Sequence, residues 1–185
     1  MKEIRMLDMD VSNNQEDNKM ILEGYAVKFD SPATHGFTEI IDRNAFNNCD
    51  MSDVCLKYNH SDTNYILART RNHSLELSVD ERGLKIRAEL IDTQTNRDIY
   101  KMVQANLLDK MSFAFTVLDE EWDYETNTRR ITGIDKLFDV AVVDVPFYDT
   151  TEIYARSIDE FNQEKEKYNK LKLAKAKAKL KLKII

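Results

Sequence analysis

Leu75-Glu76-Leu77-Ser78-Val79, a turn at Asp80-Glu81-Arg82-Gly83, and Leu84-Lys85-Ile86-Arg87-Ala88-Glu89-Leu90 form the clearest local pattern in this 185-residue chain. Apolar and polar residues alternate on both sides of the turn, the two-residue period of a strand with one buried face. Two such runs joined by a short polar link ending in glycine predict a β-hairpin. Its neighbours follow the same period, so the chain reads as β-rich.

Upstream, Ile4, Met6 and Met9 suit a short edge strand, and Ile21 to Phe29 reads as a strand with a slip at Gly24. A glycine inside a strand pattern marks a bulge or a close backbone approach. Phe37 to Ile41 is a second short strand, after which Asp42 is placed to cap a brief helix through Phe46. Val54 to Asn59 forms a strand that ends at His60, and Ile66 to Thr70 resumes as another.

Downstream, the period changes. Ile99, Met102, Val103 and Leu107 recur at helical spacing within Thr95 to Leu108, and this helix runs into Met111-Ser112. Phe113 to Leu118 returns to strand, Asp123 to Arg129 turns the chain, and Arg130 to Ile134 comes back. Leu137 to Val145 is almost continuously apolar, the mark of a central strand covered on both faces, and Pro146 stops it. Many short strands around one middle helix predict a β-rich α+β domain, a barrel or sandwich with helices outside.

A chain of this length buries a real core, and with 32% charged residues, four glycines and two prolines its composition is that of a soluble, ordered protein. No apolar run approaches the roughly 20 residues of a membrane span, and Met1 to Asp10 lacks the layout of a secretory signal. Cys49 and Cys55 are too few and too close together to argue a disulfide framework, which points to reduced thiols in a cytosolic setting. Three histidines and two cysteines without Cys-x-x-Cys or His-x-x-x-His spacing predict no metal, and no cofactor is expected.

Charge is unevenly placed. Nine lysines and one glutamate from Lys165 onward give the tail +8, which on a chain of −6 leaves −14 for the rest. Between Lys170 and Lys183 lysine alternates with leucine or alanine, which on a helix gives no clean apolar face. The tail is expected to be helical or disordered, and the plain reading is a solvated, partly disordered extension. The functional one is an arm that docks on an acidic partner. The acidic body argues against nucleic acid as the main partner.

Three separated segments carry residues of hydrolase type. Ser112 opens a strand in Asp109-Lys110-Met111-Ser112-Phe113-Ala114-Phe115, His60 ends another, and Asp139 lies within the apolar Leu137-Val143 run. A serine hydroxyl becomes nucleophilic only beside a base that takes its proton. His60 suits that role better than His35, in a loop beside glycine, or His73, in a polar turn. An acid in an apolar strand is costly to bury unless paired, and pairing with the histidine would orient the ring. Asp139 leads for this place and Asp144 follows. The competing reading makes Ser112 an ordinary strand residue and Asp139 the partner of a neighbouring arginine. The Gly-x-Ser-x-Gly elbow and glycine-rich phosphate loops are absent.

An ordered series of blocks decides between these readings. Gly24-Tyr25-Ala26-Val27, Phe37-Thr38-Glu39-Ile40-Ile41, Asn44-Ala45-Phe46, Asn59-His60, Leu67-Ala68-Arg69-Thr70, the hairpin and Met111-Ser112-Phe113-Ala114-Phe115 come first. Trp122, Arg130-Ile131, Asp139-Val140-Ala141-Val142-Val143 and Pro146-Phe147-Tyr148 follow. Together, from about Met20 to Thr151, they resemble the prohead maturation proteases of tailed bacteriophages. The resemblance implies a serine endopeptidase with Ser112 as nucleophile, His60 as base and Asp139 as third member. Arg69, in a shared block, is the candidate for positioning a backbone amide or a water near the oxyanion. It also implies a small β-barrel flanked by helices, similar to the herpesvirus assembly proteases.

Expected substrates are the major capsid protein, scaffold segments and the chain itself, cut inside the immature prohead in the host cytoplasm, by an enzyme that forms a homo-oligomer. Residues 1–18 are expected as an N-terminal segment, 19–155 as the protease domain and 156–185 as a lysine-rich extension. Asn44 stands where the family has glycine, His73 likewise, and Ala141 replaces a serine. None of these removes Ser112 or His60. The rival function is a non-catalytic assembly or scaffolding module that keeps the protease fold.

Overall fold

The computed structural model describes residues 2–8, 12–16, 19–61, 66–144 and 152–181. The chain opens with β1 (Lys2–Asp8), β2 (Ser12–Glu16), β3 (Lys19–Lys28), β4 (Ala33–His35), β5 (Phe37–Ile41), β6 (Cys55–Tyr58) and β7 (Ile66–Arg69). A 3₁₀ turn at Thr70–Asn72 leads to β8 (Leu75–Val79) and β9 (Gly83–Leu90). Then come α1 (Gln94–Gln104), β10 (Lys110–Asp123), β11 (Thr128–Val143) and α2 (Glu152–Lys181).

The alternating stretches form the predicted hairpin, β8 against β9, with Leu77 opposite Ile86. The backbone passes closest at Gly83, the last residue of the expected turn, where a Cβ would stand 1.8 Å from the Val27 carbonyl oxygen. Strands β2, β3, β9 and β8 make one sheet in that order. The register slip in β3 falls between Tyr25 and Val27, not at Gly24, which pairs in step with Ile86.

The second sheet is built on the β10–β11 hairpin. Strand β1 pairs antiparallel with β10, and β11 takes two short parallel partners in succession, β5 at Thr128–Ile131 and β6 at Asp139–Val142. Strand β4 pairs with β5, and β7 with β6. Apolar faces of both sheets and of α1 share one core, including Leu22, Ile86, Ile99, Phe113, Phe115, Ile134 and Val140.

Three expectations are corrected. The barrel does not close among the described residues: a β11 long enough for two consecutive partners leaves separate open edges at β4 and β7. Asp42 caps no helix. Its side chain accepts from the Asn44 N–H at 3.0 Å, but Ala45 and Asn47 bond three residues back, so the segment is a run of turns. Helix α1 stops at Gln104, and Ser112 is the third residue of β10 instead of standing at a helix–strand junction. Of the two states expected for the lysine-rich tail, helical or disordered, its described part is helical, as the end of the 30-residue α2, because lysine, leucine and alanine all favour helix whatever their period. Tyr168 and Lys172 of α2 meet Glu125 in the β10–β11 turn at 3.3 and 2.5 Å, beyond which Leu171 to Lys179 are exposed. Met9 and Pro146-Phe147-Tyr148 lie outside the described residues.

A buried ion network ties the edge of this sheet together. Arg129 of β11 donates to Glu3 at 2.7 and 2.9 Å, to Glu39 at 2.9 Å and to Glu120 at 2.7 Å. Burial alone would raise the Glu3 carboxyl, but Arg129 and Arg5 beside it hold it below the ordinary range. This contribution to stability is complete above the unfolded-state value and is lost as pH falls through the lowered folded one. Removing one partner of a buried pair strands the rest, so Arg129→Met is expected to cost about 3–5 kcal/mol in urea unfolding. A loss under about 1 kcal/mol would show the network to be dispensable.

Candidate active site

Strand alternation sets the positions. Phe113, Phe115, Val140 and Val142 enter the shared core, so Ser112 on β10 and Asp139 on β11 stand on the opposite face of their sheet. In the antiparallel register Ser112 faces Ala141 and Ala114 faces Asp139. The two functional residues are therefore diagonal neighbours, about 7–8 Å apart in an ordinary ladder. The other two corners of that square are alanines, which leaves room for a ring to lie between serine and acid.

His60 supplies the ring. Strand β6 runs parallel to β11 with Tyr58 opposite Val142, and the chain then turns through Asn59 and His60, both at φ 51°. Left-handed backbone is uncommon outside glycine, and asparagine and histidine are among the residues that adopt it most readily. The turn is held by the Asn59 N–H on the Val142 carbonyl (3.0 Å) and by the Asp144 N–H on the Asn59 side chain (3.1 Å). It brings His60 Nε2 to 2.6 Å from Ser112 Oγ, while Nδ1 makes a short hydrogen bond with Asp139 Oδ1.

Asp139 is only 1% exposed. Its second oxygen accepts from Lys2 Nζ at 3.1 Å, and Lys57 Nζ lies 3.6 Å away. Burial alone would raise its pKa, but the His60 hydrogen bond and charge, with Lys2, outweigh it and hold the carboxyl below its ordinary value. An ionised acid here can orient the ring and stabilise an imidazolium. Asp144 instead accepts from the Tyr58 hydroxyl at 2.9 Å.

The other expected residues fall elsewhere. The Arg69 guanidinium grips Asp53 with Nε and Nη2 at 2.5 and 2.6 Å, two strands from Asp139 in the sheet. His73 adopts φ 61°, the left-handed backbone implied by the glycine of the family, whereas Asn44 does not. His35 lies in β4. Sequence reasoning missed Lys2 and Arg5, because nothing local ties β1 to β10. Burial pushes the Cys49 thiol up to about 11 and raises that of Cys55. Both are thus expected to react slowly with a thiol reagent at pH 8, and rapid modification of either in the folded chain would contradict this burial.

The family model described as caudovirus prohead serine protease matches residues 7–164. The chain belongs to that family. As a member of the prohead serine proteases it is a serine protease of phage capsid maturation. A search of curated proteins finds no match. Among solved structures it is similar to the bacteriophage T4 capsid assembly protease, at a TM-score of 0.43 and 10% identity, over 78% of this chain and 99% of that one.

Proposed function

We propose that the chain is a serine endopeptidase that trims capsid and scaffold proteins inside the immature prohead, with Ser112 as nucleophile, His60 as general base and Asp139 as the acid that orients it. The observation that carries this reading is the continuous hydrogen-bond chain from Asp139 through both nitrogens of His60 to Ser112 Oγ. Its separations are those required for proton transfer in the ground state.

In this reading His60 Nε2 takes the Ser112 proton as Oγ attacks the peptide carbonyl carbon. The imidazolium then protonates the departing amine, and water repeats the cycle to release the acyl group. Any influence of Arg69 runs through Asp53 and β6, the strand that ends next to His60. Residues 19–155 form the protease unit, with residues 1–18 and 156–185 as flanking segments and the lysines of α2 as an arm toward an acidic partner. Self-cleavage, homo-oligomerisation and a kinship of fold with herpesvirus assembly proteases belong to the same proposal.

Co-expression with the cognate capsid protein tests it. Wild type is expected to yield defined fragments by mass spectrometry, and Ser112→Ala and His60→Ala none. Identical, uncut products from all three would leave the rival reading, an assembly module with a protease fold.

A further inference from the structure

Ser112 is 0% exposed, and the group it meets besides His60 is a peptide carbonyl. Its hydroxyl donates to the Arg5 carbonyl oxygen at 2.8 Å. Arg5 lies on β1, which runs antiparallel along β10 from Lys2 opposite Thr116 to Asp8 opposite Lys110. A stretch of extended chain therefore lies alongside the strand of the nucleophile, with one carbonyl at the serine. Proteins take peptides onto sheet edges in this manner, with ladder bonds giving affinity and alternate side chains giving specificity. A hydroxyl has one proton, so the Arg5 carbonyl competes with His60 Nε2 for it.

Side-chain charges fasten β1 in place. Lys2 reaches Asp139, Glu3 reaches Arg129, and Arg5 donates through Nε and Nη2 to Glu39. Glu39 is 5% exposed and is also braced by Arg129. If β1 leaves, Glu3 and Arg5 leave with it. Glu39 and Glu120 then face Arg129, two carboxylates to one guanidinium, with Glu39 and Arg129 buried and Glu120 at the exposed rim. Such a site favours an incoming cation and disfavours an anion.

We infer that β1 occupies the substrate's own path, and that the edge of β10 takes an extended peptide in which the residue whose carbonyl meets Ser112 Oγ, in the place of Arg5, is basic and is read by Glu39. This rests on the reading of Ser112 as nucleophile. The bond cut is the one following the basic residue. Ser112 Oγ bonds to its carbonyl carbon, the C–N bond breaks, the proton passes through His60 to the new amine, and water hydrolyses the ester to a carboxylate.

The test uses the full chain. Quenched fluorogenic peptides are offered with the sequence of residues 2–8, Lys-Glu-Ile-Arg-Met-Leu-Asp, and with leucine or glutamate in place of the arginine. The arginine peptide is expected to be cut after arginine with kcat/KM at least about tenfold above its twins. In Glu39→Gln, shown folded by circular dichroism, that preference should fall below about threefold. In parallel, Glu3→Lys sets a cation against Arg129 and loosens β1, so a fluorophosphonate should label Ser112 about tenfold faster than in wild type. Equal cutting of all three peptides, or labelling no faster in Glu3→Lys, overturns the inference while leaving the nucleophile in place. If no peptide is cut and Ser112 is never labelled, the reading of Ser112 fails and the inference falls with it.

Discussion

Ser112→Ala is expected to abolish cleavage, lowering turnover by about a million-fold, while the chain stays folded. The substitution removes one oxygen atom from a fully buried position, where its partners are His60 Nε2 and the Arg5 carbonyl. Losing a neutral hydrogen bond costs about 1 kcal/mol of stability, so the melting temperature should move by only a few degrees. His60→Ala should lose a similar factor, and the double variant should be hardly worse than either single one. Groups that act as a unit behave this way, because neither helps catalysis without the other. Losses that multiply in the double variant, or cutting by Ser112→Ala at the wild-type rate, would place the nucleophile elsewhere.

What was legible in the sequence follows how local each determinant is. The β8–β9 hairpin could be read because alternation and turn lie within one short window, and the structure pairs it as expected. Strand β11 announced itself by its apolar run, but its true extent did not. Arg129, Arg130 and Lys136 interrupt the pattern on the way, and their charges are met by partners on β1, β5, β10 and the segments beside them. The placement of Ser112 as the third residue of a 14-residue strand was missed for a similar reason: α1 ends early, and a loop through Asn106 at φ 53° separates the two.

The site was legible as residue types and by resemblance, not as geometry. Ser112, His60 and Asp139 come together through the β10–β11 register and the two left-handed residues after β6. The two alanines between them are the one signal that could have been used earlier. Ala114 and Ala141 are small residues in an otherwise bulky frame, and period-two reading puts each on the face of a candidate residue. The charges that β1 brings to Asp139 and Glu39 had no local signal, because the pairing spans more than a hundred residues of chain.

Asp139→Asn tests the third member most sharply, with an expected fall in kcat of about ten-thousand-fold. Both lysines decide why. Lys2 and Lys57 approach Oδ2, so an asparagine would turn its carbonyl oxygen toward those ammonium groups and its amide nitrogen toward His60. An NH₂ facing Nδ1 forces that nitrogen to accept, which places the ring proton on Nε2. In this tautomer His60 cannot take the proton of Ser112, although every group remains in place. The carboxylate also carries an acid-side signature. Its lowered pKa contributes stability that is full above the unfolded-state value and is lost as pH falls through the folded one, and the asparagine chain should lack that share. Peptide turnover and acid unfolding measured on the same variant separate the roles. A large loss of turnover with a modest loss of stability assigns Asp139 to the orientation of His60, because a purely structural pair would lose stability first. Unchanged turnover would move the acid's role to Asp144 or elsewhere.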